Sequence, residues 1–296
     1  MRALKTLLLA TSLCLVAQEH DEHAAKPSAH EPAAKAKTKA PAAEPAEAEH
    51  EAAPKAKAAP KPKPKPKVEN HEAAVHGPAP SADSPDSPSS ALTELSAGNL
   101  RFVAGKRVRT LDTGHDAAMR AALVGGQAPF AIVITCSDSR VPDALLFDQE
   151  AGRLFTIREA GNAPDLQGIA SAEYAVEHLG SKLIVLMGHT SCGAVKAVRE
   201  ANGKALPGNL WSLQAGMAGL LESTPQDPNE DTKAYGTRLE EANARRQAQA
   251  MLDRSAMLRE AAAAEKVWVV PAIYNLASGK VSFFKPVSVA AAPAHH

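Results

Sequence analysis

The apolar positions of this chain gather into short runs. Residues 131–135 carry Ile132, Val133 and Ile134, and similar runs occupy 154–157, 182–187, 267–273 and 281–284. None alternates with polar residues and none is long enough for a helix, which is the pattern of strands buried on both faces. Between the second and third runs, Ile169, Ala172, Ala175, Val176 and Leu179 recur at helical spacing, with Tyr174 on the opposite face. Leu92, Leu95, Leu100 and Val103 predict a helix over 92–103, and a longer one is expected over 239–265, with Glu241 and Arg245 paired one turn apart. Strands separated by helices give an α/β fold: a mainly parallel β-sheet flanked by helices. The link over 274–280 contains Ser278-Gly279, so the last two runs form a hairpin and the final strand is antiparallel, at the sheet edge.

The pattern is absent from the first part of the chain. Every aromatic residue lies at or beyond Phe102, and between Gln18 and Ala91 only Val68 and Val75 are branched or long aliphatics. Such a stretch cannot bury enough apolar surface to offset its ordering entropy. Residues 1–17 begin with Arg2 and Lys5 and continue as a short leucine-rich run, the pattern of a signal peptide and too short for a permanent span. The organisation expected is therefore a signal peptide over 1–17, a disordered Ala/Pro/Lys-rich tail or linker over 18–91, one folded domain over 92–290 and a disordered C-terminus over 291–296. This implies an exported protein, periplasmic or secreted. The 33 basic and 33 acidic side chains cancel, which excludes binding to a polyanion through bulk charge and leaves no nucleic-acid partner expected. Residues 55–67 are purely basic and rich in Lys-Pro, so the tail suits contact with an anionic envelope surface, or serves as a plain spacer.

Once Cys14 leaves with the leader, Cys136 and Cys192 are the remaining cysteines, and each follows a predicted strand. In an open parallel sheet, sites form beyond the carboxyl ends of strands. Neighbouring strands would bring Cys136, Asp138, His189 and Cys192 together. Two thiolates, an imidazole and a carboxylate suit Zn2+, which takes S, N and O donors in a tetrahedron. Two cysteines in an exported chain also suit a structural disulfide, and four donors also suit a purely structural zinc.

The motifs Cys-Ser-Asp-Ser-Arg-Val-Pro at 136–142 and Gly-His-Thr-Ser-Cys-Gly at 188–193 resemble the two metal half-sites of the β-class carbonic anhydrases. Arg-Glu-Ala-Gly-Asn at 158–162, the stretch 173–180, Asn-Leu-Arg-Phe at 99–102 and Glu241-x-Asn243 resemble further motifs of that family, over about residues 92–286. The resemblance implies zinc held by Cys136, His189 and Cys192. Zinc-activated hydroxide would then attack carbon dioxide and release bicarbonate and a proton. Asp138 either completes the tetrahedron and closes the site, or pairs with Arg140 and leaves a position for water; the catalytic pair implied is Asp138 and Arg140. Gln127, Phe155, Ala160 and Tyr174 match positions that bind substrate, partly across a homodimer or dimer-based oligomer. Other readings of the same residues are hydrolysis of carbonyl sulfide or carbon disulfide, and a non-catalytic, metal-stabilised envelope binding module.

Overall fold

A computed structural model describes residues 83–109 and 117–289. The signal peptide, nearly all of the tail and the C-terminal residues from 290 on lie outside the described residues. The described residues open with α1 (Pro88–Val103), followed by α2 (Ala117–Leu123), β1 (Ala131–Thr135), α3 (Asp143–Leu146), β2 (Leu154–Arg158), α4 (Leu166–Glu177), β3 (Leu183–His189) and α5 (Gly193–Ala201). Two short helices come next, α6 (Trp211–Gly216) and α7 (Leu220–Ser223). The chain then forms α8 (Thr232–Arg254), α9 (Ala256–Ala263), β4 (Trp268–Tyr274) and β5 (Val281–Phe283). No helix among the described residues is long and apolar enough to cross a membrane.

Among the described residues, five strands form one sheet in the order β2-β1-β3-β4-β5. All pairings are parallel except β4 with β5, which is the expected antiparallel edge. Alternate residues of β1 face opposite sides. Ala131 and Val133 pack with Leu95 of α1 and Leu146 of α3, whereas Ile132 and Ile134 pack with Ile169 of α4, Met251 of α8 and Leu258 of α9. The central strands β1 and β3 are buried along their whole length, which explains their unbroken apolar runs. A third cluster lies past the strand ends, where Cys136 and Cys192 pack with Val195, Met217, Leu220 and Leu239.

Two helices differ from the sequence expectation. The first begins a turn earlier, at Pro88, because Ser87 caps it: the Ser87 hydroxyl accepts from the Ser90 N–H, and Ser90 reaches back to the Ser87 N–H. The serines of that turn carry no apolar signal. The long helix expected over 239–265 begins at Thr232, capped by Asp231, and breaks at Ser255. Ser255 takes an extended backbone, accepts from the Leu258 N–H at 3.0 Å and donates to Glu173 Oε1 at 2.6 Å. A serine side chain that competes for backbone groups ends α8 and starts α9, although the apolar spacing runs on through it. No ion pair joins Glu241 and Arg245; the Arg245 guanidinium instead stacks 3.7 Å over the Phe284 ring.

Candidate metal centre and catalytic pair

Cys136 directly follows β1, His189 ends β3, and Cys192 caps the N-terminus of α5. Because β1 and β3 are neighbours, in register with Thr135 opposite Met187, their ends deliver all three residues to one place. One donor atom from each lies within 4.8 Å of the others, and all three side chains are buried. The two cysteines are free thiols.

The imidazole is oriented by its own neighbour. His189 Nδ1 sits 3.0 Å from the Thr190 carbonyl oxygen, which can only accept, so the proton belongs on Nδ1 and the lone pair on Nε2. That Nε2 is buried and has no hydrogen-bond partner. Contact with Cys192, together with the Gly161 N–H at 3.3 Å, favours the Cys136 thiolate; contact with Cys136, together with burial, pushes the Cys192 thiol up. Two sulfurs this close resist both being thiolates unless a cation lies between them. A buried nitrogen lone pair with no proton to accept and two mutually opposed sulfurs fit a soft divalent cation such as zinc.

Asp138 stands beside this group. Its Oδ2 lies 3.8 Å from His189 Nε2, but both carboxylate oxygens are engaged by Arg140: Nε donates to Oδ1 at 2.9 Å and Nη2 to Oδ2 at 2.7 Å. The Arg140 N–H adds a bond to Oδ1 at 2.9 Å. This fork holds the Asp138 carboxyl well below the usual carboxylate range. Arg140 Nη2 also reaches the Ser191 carbonyl at 3.3 Å, joining the loops after β1 and β3.

Other parts of the surroundings are not evident in the local sequence. Glu240 on α8 accepts the Cys192 N–H at 2.8 Å through Oε1, and burial raises its pKa. Asn243, one turn on, donates to the Gly161 carbonyl at 2.7 Å, and Gln247 donates to Asn243 at 3.1 Å. Glu240, Asn243 and Gln247 form a polar stripe at helical spacing on the buried face of α8. That spacing was the available signal, and a polar stripe of this kind ordinarily reads as solvent-facing. Gly161 has φ 72, and a side chain there would run into Met217.

Of the four expected pocket residues, Ala160 adjoins the group, since the next residue, Gly161, donates its N–H to Cys136 Sγ. Gln127 is in the loop before β1, Phe155 is half-buried on β2, and Ala160 lines a cleft of about 700 Å³ with Trp211 and Arg254. Tyr174 is exposed on α4, its ring 5.0 Å from that of His178. No side-chain hydrogen bond joins any of the four to the Cys–His–Cys group.

Comparison with known proteins agrees with this geometry. The carbonic anhydrase family model matches residues 131–281, from the first residue of β1 to the first of β5. The chain belongs to the β-class carbonic anhydrases. It is 35% identical over 208 residues to a carbonic anhydrase of Mycolicibacterium smegmatis, spanning 66% of this chain and 92% of the relative. It is 44% identical over 122 residues to carbonic anhydrase 2 of Mycobacterium tuberculosis, spanning 41% of this chain and 58% of that one. Among solved structures, one of two tetrameric β-carbonic anhydrases from Sordaria macrospora superposes with a TM-score of 0.54 at 25% identity, covering 68% of this chain and all of that one. A Coccomyxa β-carbonic anhydrase crystallised with acetazolamide gives 0.54 at 26% identity, covering 66% and 87%. Membership makes this chain an enzyme of the carbonic anhydrase family, a lyase.

Proposed function

We propose that the chain catalyses the reversible hydration of carbon dioxide to bicarbonate and a proton, with zinc held by Cys136, His189 and Cys192. The observation that supports this most is the buried Cys136–His189–Cys192 cluster, one donor atom of each within 4.8 Å of the others, with His189 Nε2 lacking a hydrogen-bond partner. Zinc, when bound, supplies a Lewis acid that makes a nucleophile of water near neutral pH. The chain supplies the rest. The Thr190 carbonyl fixes the tautomer that points a lone pair inward. The Gly161 N–H offsets charge on Cys136, and Glu240 holds the backbone of Cys192. Arg140 keeps Asp138 ionised and turned aside, so that the carboxylate serves as an acceptor orienting the attacking oxygen. In this reading Asp138 belongs to the open arrangement. Gln127, Phe155, Ala160 and Tyr174 face a substrate pocket completed by a second copy in a dimer-based assembly. The enzyme is exported, with the Lys-Pro tract of its tail set against an anionic envelope surface.

The test is Arg140→Ala. Zinc content by metal analysis stays at the wild-type level, while turnover in stopped-flow carbon dioxide hydration falls about a hundredfold. Turnover near that of the wild type would refute the pairing of Asp138 with Arg140. Carbonyl sulfide and carbon disulfide as parallel substrates separate hydration from hydrolysis.

A further inference from the structure

We propose that Arg158, steadied by Asp143 and Thr156, is a positioning residue that keeps the Asp138 carboxylate beside the metal-ligating group and off it. This rests on the catalytic reading above and extends it to residues on the edge strand.

Thr156 and Arg158 lie two residues apart on β2 and so face the same side of the sheet. Arg158 Nη2 donates to the backbone carbonyl of Asp138 at 2.6 Å. The same carbonyl accepts the Val141 N–H at 3.1 Å, which closes the turn that carries Asp138 and Arg140. The turn is therefore closed from within and pinned from the neighbouring strand. Two guanidinium groups grip Asp138 from opposite ends: Arg140 holds its carboxylate and Arg158 its carbonyl. If the carbonyl shifts, the side chain turns with it and leaves the fork of Arg140.

Arg158 is itself held. Asp143, the first residue of α3, is buried; its Oδ2 accepts the Thr156 hydroxyl at 2.6 Å and its Oδ1 lies 4.0 Å from Arg158 Nη1. Burial raises the pKa of this carboxyl, so its place in the fold carries a desolvation cost. An asparagine would fill the same space and still accept the hydroxyl. What the carboxylate adds is attraction for the guanidinium of Arg158, and this singles out Asp143 as more than a packing residue.

The experiment compares Asp143→Asn, Arg158→Gln and Arg158→Lys with the wild type in the full zinc-loaded protein, with Arg140→Ala as control. Stopped-flow kinetics, zinc analysis, thermal unfolding and hydrogen exchange over residues 137–142 are measured on each. Asp143→Asn and Arg158→Gln are expected to lower kcat about tenfold. KM and zinc content stay unchanged, and exchange over 137–142 speeds up. Asp143→Asn leaves the unfolding midpoint unchanged or raised, which a merely structural role would not do. Arg158→Lys, which keeps one donor for the carbonyl, recovers part of the lost turnover. Wild-type kcat and exchange in Asp143→Asn and Arg158→Gln overturn the proposal, as does a loss of kcat that only follows a lowered midpoint or lost zinc. The control separates the two readings. If Arg140→Ala keeps its turnover, the catalytic pairing itself fails; if it loses turnover while Arg158→Gln does not, only the positioning role fails.

Discussion

The centre and the edge of the sheet are built for different tasks. β1 and β3 are buried along their whole length, and their ends deliver the donors Cys136 and His189. β2 is half-buried or exposed at most positions and carries Phe155, Thr156 and Arg158. The centre fixes geometry, because a strand packed on both faces cannot shift without opening the core. The edge tunes, because its polar side chains reach around β1 to the loop that holds Asp138. Donor position is thus insulated from solvent, whereas the setting of Asp138 depends on bonds nearer the surface.

Four experiments can break or sharpen that contrast. The largest effect belongs to the donors: Cys136→Ser removes one of two sulfurs and should cost more than about a hundredfold in zinc affinity, with turnover lost in proportion, as metal analysis and stopped-flow hydration would show. Leu186→Ala in the middle of β3, where the side chain is wholly buried, should cost about 2–5 kcal/mol in denaturant unfolding. Phe155→Ala on the edge should cost only about 1 kcal/mol in the same measurement; equal losses would dissolve the distinction between centre and edge. The smallest effect is one of pH. Burial raises the pKa of Asp143 in the folded state, so between its unfolded value, about 4, and that raised value the native chain binds more protons than the unfolded one. Stability from this group therefore falls as pH rises through that window. Asp143→Asn lacks the penalty, so its unfolding midpoint should gain on the wild type as pH increases and converge with it near pH 4. A constant gap would contradict that origin.

Much of the sheet was legible because β1, β3 and β4 are largely apolar runs, and the hairpin because Ser278-Gly279 marks a turn. The meeting of Cys136 and Cys192 was legible because each follows such a run. The break at Ser255 was hidden by alanines that continue the helical spacing on both sides. Glu240 and Arg158 were hidden for another reason. Their partners, the Cys192 N–H and the Asp138 carbonyl, are backbone groups distant in sequence, and a backbone group leaves no trace in residue identity. Whether Asp138 turns toward Arg140 was likewise open until the 2.9 Å and 2.7 Å bonds were in view.

The bond from Arg140 to the Ser191 carbonyl ties together two loops that arrive from strands made at different times. β2 is synthesised between β1 and β3 yet lies on the outer side of β1, so β1 must wait for a later segment before its inner neighbour exists. Until that pairing forms in register, with Thr135 against Met187, Cys136 and His189 are not brought together. Capture of the proposed zinc would therefore be a late, non-local event, because the strands that bring its ligands together are separated in sequence.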